Sequence, residues 1–273
     1  MHLRFGGTAK QILMGKRYFT SDFHFNSTLI NKYANRPRRE ALDAGIFLVC
    51  NANSVLSDED VLFHVGDFCL TSPDRHGKEV DYPLDFSPDY WKTQLKGRLV
   101  LLAGNHDDGH SFEADCKSMV LDLNQNYRNV YVNHFPSDHH DYHGLVGYGK
   151  KVQINLCGHV HDKWKYYYDN KANVLNYNVG VDCHNYKPVR DAEITEDLDF
   201  LFKHHDFSTY FKMTYKDEIE WKKTIKNNLE YDRALRKKTR YQKKGLTEAE
   251  CLRRKEEALR KKGLLKIIKE RIK

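Results

Sequence analysis

The sequence predicts an α/β fold of stacked layers, continued at its C-terminal end by a basic, mostly helical extension. Three observations carry this. Short β-branched or aromatic runs alternate with Gly-containing loops and helix-compatible stretches. The 273 residues suffice for one α/β domain plus an extension. Charge is unevenly spread: residues 222–273 hold 20 Lys and Arg against 7 Asp and Glu (+13), whereas residues 1–221 hold 25 against 31 (−6).

Six runs have strand length and strand composition: 16–20, 61–65, 98–103, 130–132, 152–157 and 174–181. Residues 27–33 and 39–56 are helix-compatible. Pro73, Pro83 and Pro88 break up residues 70–90, which predicts an irregular loop. Phe207 to Phe211 closes the first domain, so the division falls at 1–210 and 211–273. From Trp221 onward the chain is Lys/Arg-rich and helix-prone. Thr247 and Glu250 form a capping-box signature before a helix that Gly263 ends.

Composition narrows the function class. At 40% hydrophobic and 30% charged, the chain fits a globular protein rather than a disordered one. No apolar run reaches the ~20 residues of a membrane span, and residues 1–7 lack the apolar core of a secretory signal. A cytoplasmic location is expected. The six cysteines are scattered with no C-x-x-C pair, which argues for reduced thiols and against a disulfide framework or thiolate zinc site.

The chemistry lies where the strands end. Successive strand ends run into Asp22-Phe23-His24, Gly66-Asp67, Gly104-Asn105-His106-Asp107, Asn133-His134 and Gly158-His159-Val160-His161. Carboxylate, amide oxygen and imidazole are hard to borderline ligands, suited to Mn, Fe, Zn or Mg. In open α/β sheets, sites form beyond the carboxyl ends of strands, so ligands distant in sequence converge there. Alternation along an extended segment would turn both members of Asp22-x-His24, and of His159-x-His161, to one side. Glycines at 66, 104 and 158 permit tight turns there.

These motifs, in this order, resemble the calcineurin-like metallophosphoesterase superfamily across roughly residues 17–188. Asn35-Arg36-Pro37 and the run from Asn178 to Val189 resemble its small bacterial and bacteriophage members. The protein Ser/Thr phosphatase branch fits worse. It expects glycine where this chain has Phe25, a different motif around Phe68, and glutamate where this chain has Asp107.

The resemblance implies a four-layer α/β/β/α sandwich of two mixed sheets, of the metallo-dependent phosphatase type. It implies two divalent metal ions, Mn foremost, with Fe, Zn, Ni, Co or Mg as alternatives. Asp22, His24, Asp67 and His161 would hold one ion. Asp67, Asn105, His134 and His159 would hold the other, with Asp67 bridging. His106 would be catalytic, beside the scissile phosphate without binding metal. The implied reaction is hydrolysis of a phosphate ester by in-line attack of a metal-bridging hydroxide, on phosphodiester, nucleotide or nucleic-acid substrates in preference to phosphoproteins. A protein or small-molecule phosphomonoesterase stays open, as does a nucleic-acid-binding module with a vestigial metal site.

Other residues admit two readings. Arg36 fits a phosphate contact or a surface arginine beside a turn proline. Asn185 and Lys187 fit the substrate cleft or a structural role, as does His184. Asp182 fits a loop-fixing role and Asp107 a role in orienting the G-N-H turn. His139, His140 and His143 fit a substrate rim or a polar loop. The tail, residues 222–273, fits a nucleic-acid arm, a contact with an acidic partner, or a solvated helix.

Overall fold

A computed structural model describes residues 3–4, 15–70, 86–107, 114–137 and 152–242. In chain order the strands are β1 (Leu3–Arg4), β2 (Arg17–Thr20), β3 (Val61–Val65), β4 (Arg98–Leu102), β5 (Ser118–Leu121), β6 (Val130–Asn133), β7 (Gln153–Cys157), β8 (Tyr166–Asp169), β9 (Val174–Asn178), β10 (Val189–Arg190) and β11 (Phe211–Met213). The helices are α1 (Thr28–Tyr33), α2 (Ala41–Asn53), α3 (Pro88–Gln94), α4 (Asp191–His204) and α5 (Tyr215–Gln242).

Both sheets are mixed. One has the order β10-β2-β3-β4, with β2, β3 and β4 parallel and β10 antiparallel at the edge. The other has the order β1-β5-β6-β7-β9-β8-β11, with β6, β7 and β9 parallel at its centre. Every residue of β3, β7 and β9 is buried. Strands covered on both faces read as continuous runs rather than as alternation, which is why these segments were legible by length and bounding turns.

A core on the smaller sheet includes Tyr18, Phe23, Phe25, Leu62, Phe68 and Trp91. Trp91 of α3 stacks on Phe25 with ring centroids 4.4 Å apart. A Cβ on Gly45 of α2 would collide with the Trp91 ring, so this helix glycine is a packing requirement. The Trp91 indole N–H donates to Asn26 Oδ1 at 3.0 Å, fastening the core to the loop after Asp22 and His24.

Two expectations need correction. Residues 86–90 are not irregular throughout, because Pro88 opens α3 behind the Ser87 N-cap, whose side chain accepts from Tyr90 N at 3.2 Å. A proline at the first helical position loses no hydrogen bond. Residues 71–85 lie outside the described residues. The first unit ends later than residue 210: the chain divides into two compact units, Met1–Glu218 and Ile219–Lys273. Phe211–Met213 adds an edge strand to β8, and buried Glu218 accepts from Lys165 Nζ at 2.8 Å. The expected helix after Thr247 lies outside the described residues. Among the described residues no helix is long and apolar enough to cross a membrane, and the described cysteines are free.

Candidate metal centre

Each expected ligand follows the C-terminal end of a strand. Asp22 and His24 follow β2, Asp67 follows β3, Asn105 and His106 follow β4, His134 follows β6, and His159 and His161 follow β7. Backbone hydrogen bonds stitch these loops together: Asp22 N to Gly66 O, His24 N to Asp67 O, and Gly158 N to His134 O, each 3.0 Å. Ser21 pairs with Gly180, tying the end of β2 to the end of β9 and so joining the two sheets.

The backbone here is left-handed. Asp22 (φ 59°), His24 (48°), Asp67 (57°), His159 (72°) and His161 (52°) all have positive φ. The expectation that extended alternation aligns Asp22 with His24 is therefore corrected: reversal at each ligand, not the pleat, brings the side chains together. Such residues cost of order 1–3 kcal/mol each and cluster at functional sites. Gly66 (φ +89°) leaves the strand in a similar conformation, and a Cβ on it would overlap the His134 ring. Gly104 lets the Asp67 carboxylate lie against bare backbone.

Two clusters result. Asp22, His24 and His161 form one, and Asp67, His134 and His159 the other, with donor atoms in each within 4.8 Å of one another. Asn105 Oδ1 joins the second, 3.1 Å from His134 Nε2 and 2.9 Å from His159 Nδ1. Asp67 links the two, because its Oδ2 lies 3.4 Å from His24 Nε2 and 3.2 Å from His134 Nε2. Its Oδ1 is taken by the backbone N–H of His106 at 2.8 Å.

These residues fit a pair of divalent ions. Ligand bonds of about 2.1 Å put neighbouring donor atoms roughly 3 Å apart, the spacing found here. His24 Nε2 is buried and has no hydrogen-bond partner among the described residues. An orphaned imidazole nitrogen facing carboxylate oxygens is costly unless a cation or proton sits between them.

Electrostatics separates the imidazoles. Burial drives the His24 pKa well below its ordinary value, which keeps the ring neutral and its lone pair available. Burial, then the neighbouring His134, also lowers His159. Burial acts against charge on His134 too, but hydrogen bonding to Asp67 and the nearby carboxylates push its pKa up to about 9. Its Nδ1–H donates to Val65 O at 2.8 Å, directing Nε2 at the cluster. Burial opposes charge on His161 as well, yet its hydrogen bond to Asp182 raises it. Asp67 is held well below the carboxylate range despite burial, by His134 and His24.

A supporting layer surrounds the ligands. Asp107 accepts from the backbone N–H of Gly104 at 2.8 Å, within the G-N-H turn it was expected to orient, and also from Asp67 at 2.7 Å and Phe68 at 3.0 Å, which fastens the end of β3 to the end of β4. Asp22 accepts from the Ser21 hydroxyl and from His159 N at 3.0 Å. Asp182 Oδ2 accepts from His161 Nδ1 at 2.9 Å. This last contact spans 21 positions, and only a fold brings it together.

Arg36 answers to neither of its two readings. It is 2% exposed, so it is not a surface residue. Its guanidinium donates to Asp182 Oδ1 (2.9 Å) and Oδ2 (3.0 Å), to the carbonyls of Asp22 (2.5 Å) and Phe23 (2.9 Å), and to Asn31 Oδ1 (3.5 Å). All five N–H donors are occupied, leaving none for a phosphate. The side chain is a strut beneath the Asp22–His24 loop. Asn185 and Lys187 are exposed, and Asn185 donates to the Tyr215 hydroxyl at 2.8 Å. His184 is structural: its Nε2 bonds Asn178 O at 2.8 Å and its ring stacks on Tyr177. His106 is exposed, its ring 5.2 Å from that of His24. His139, His140 and His143 lie outside the described residues.

No family model matches the chain. An uncharacterised protein of Methanocaldococcus jannaschii, MJ1445, is 28% identical over 178 residues, covering 64% of this chain and 87% of that protein. A crystal structure of a protein of unknown function from Aquifex aeolicus, AQ665, is similar with a TM-score of 0.46 and 22% identity, over 66% of this chain and 98% of that one.

Proposed function

We propose that the chain is a metal-dependent phosphoesterase of the calcineurin-like metallophosphoesterase superfamily, with the four-layer sandwich of that superfamily. One observation carries the reading. A single carboxylate oxygen, Asp67 Oδ2, faces a donor nitrogen from each cluster, 3.4 Å from His24 and 3.2 Å from His134. That is the arrangement a bridging ligand needs. Asp22, His24, Asp67 and His161 would hold one ion, and Asp67, Asn105, His134 and His159 would hold the other.

Bound divalent ions lower the pKa of water and polarise a phosphoryl oxygen. The chain's own residues do the rest. Asp67 and Asp22 supply the negative charge that draws two cations together. Val65 and Asp182 fix the tautomers of His134 and His161. His106, at the exposed rim beside His24, reaches the phosphoryl group from outside the ligand set. There it stabilises developing charge or hands a proton to the leaving oxygen.

Phosphodiester or nucleotide substrates are favoured over phosphoproteins. Phe25 and Phe68, where the protein-phosphatase motifs differ, are core residues packed edge-to-face with centroids 5.2 Å apart. Phe25 also stacks on Trp91. The +13 balance of residues 222–273 suits a polyanionic substrate. The test is a turnover screen of the full chain with Mn²⁺ on bis(p-nitrophenyl) phosphate, nucleotides and a phosphopeptide. Diester hydrolysis that a chelator abolishes supports the reading; no turnover of any ester overturns it.

A further inference from the structure

We infer that the cleft beside Asn105 receives the base of a nucleoside phosphate, with Phe135 as the surface on which that base stacks. This rests on the proposed metal centre, where the phosphate of the same molecule would lie.

The cleft has a volume of about 340 Å³ and is lined by Ala103, Gly104 and Asn105 from the end of β4, Lys117 and Ser118 at the start of β5, and Tyr131, Asn133 and Phe135 on and after β6. That volume falls in the lower range of small-molecule sites. Asn105 belongs both to this lining and to the second ligand cluster, so the cleft opens directly onto the candidate centre.

Phe135 is the informative residue. It is 44% exposed, yet its ring is wedged 5.2 Å from that of His134 and 5.0 Å from that of His159. Its backbone is anchored as well: its carbonyl accepts from Asn155 Nδ2 at 3.2 Å and its N–H donates to Asn133 Oδ1 at 3.4 Å. A phenyl face held at fixed distance from two ligands is a preorganised stacking surface, and base stacking on an aromatic side chain tolerates any base.

The remaining lining is polar and suits the rest of a nucleotide. Ser118 offers a hydroxyl to a base edge or sugar, and Asn133, whose amide already bonds Phe135 N–H and the Tyr131 hydroxyl, has one further N–H and one lone pair to give. Lys117 is exposed and forms no ion pair among the described residues, which leaves its ammonium for a further phosphate. A phosphoserine peptide has no flat ring to set against Phe135.

The test uses the Mn²⁺-loaded full chain and equilibrium binding of AMP, ribose 5-phosphate and inorganic phosphate. AMP is expected to bind about 10-fold tighter than ribose 5-phosphate. Phe135→Ala should bring AMP down to the affinity of ribose 5-phosphate, while Phe135→Tyr keeps the difference. A 5′-phosphorylated trinucleotide distinguishes the two sources of this chemistry: binding tighter than AMP identifies a strand end, and weaker binding a free nucleotide. Either keeps the base site. Equal affinity of AMP and ribose 5-phosphate in the unaltered protein, or a difference that survives Phe135→Ala, overturns the inference alone. A protein that takes up no Mn²⁺ overturns the metal centre, and this inference with it.

Discussion

Asp182 Oδ2 accepts a hydrogen bond from His161 Nδ1 at 2.9 Å, turning the opposite nitrogen of that ring to the cluster of Asp22 and His24. A carboxylate behind a ligating imidazole fixes its tautomer and orientation, and losing one typically costs 10–100-fold in metal affinity. Asp182→Asn should therefore weaken binding of the ion that His161 is proposed to hold by about that factor and spare the one proposed at His134. Calorimetric Mn²⁺ titration should change from the wild-type isotherm to two well-separated steps. An unchanged isotherm would show that Asp182 does not orient a ligand.

Arg36 has its charge balanced by Asp182 and sits 2% exposed. Arg36→Ala leaves that carboxylate buried with His161 alone as its partner, and frees the carbonyls of Asp22 and Phe23. Breaking a buried pair on one side costs about 3–5 kcal/mol. Urea unfolding should show a loss of that size. A variant of normal stability with only a raised KM would instead restore the phosphate-contact role.

Two pH dependences follow in protein stripped of divalent ions. Burial opposes charge on Asp182, but hydrogen bonds and charges from His161 and Arg36 lower its pKa from 3.8 to about 2. A lowered pKa contributes stability that is present above pH 3.8 and lost as pH falls through about 2, worth about 2 kcal/mol. Acid unfolding of Asp182→Asn should lack this component. His134 is shifted the other way, from 6.5 up to about 9. Its contribution is fully present below pH 6.5 and lost as pH rises through about 9.

Under the proposed reading, an ion at His134 must displace that proton. Mn²⁺ affinity should rise about tenfold per pH unit below 9 on account of this group. Titrations between pH 6.5 and 9 measure the slope, and a flat profile would contradict the proton displacement.

His106 stands outside the ligand set, contributing only its backbone N–H to Asp67. His106→Ala should bind Mn²⁺ with wild-type stoichiometry and lose about 10²–10⁴-fold in kcat, the usual worth of a positioned acid or base. Loss of metal in this variant would put the ring among the ligands.

Much of the centre was legible because ligand chemistry sits at strand ends, and strands such as β3 and β7 announce themselves as short apolar runs. The missing parts are those that depend on distance in sequence. Arg36 and Asp182 are 146 positions apart, and beside Pro37 the arginine reads as a turn residue. The left-handed backbone at Asp22 and His24 has only a weak local signal, since neither residue is glycine, although Asp and His adopt positive φ more often than most side chains. The four residues of β5, Ser118–Leu121, are too few to show a period. Helix α3 carried a signal in Ser87-Pro88, but the prolines of the preceding stretch suggested a loop. Helix α4 begins at an arginine N-cap, without the Ser, Thr, Asp or Asn that usually marks one.

The shared oxygen of Asp67 is tested most directly by electron paramagnetic resonance of the Mn²⁺-loaded full chain. Two Mn²⁺ per chain with an exchange-coupled spectrum are expected, and loss of that coupling in Asp67→Ala. One Mn²⁺ per chain, two magnetically independent ions, or a coupled spectrum that persists in Asp67→Ala would contradict the bridging role of Asp67.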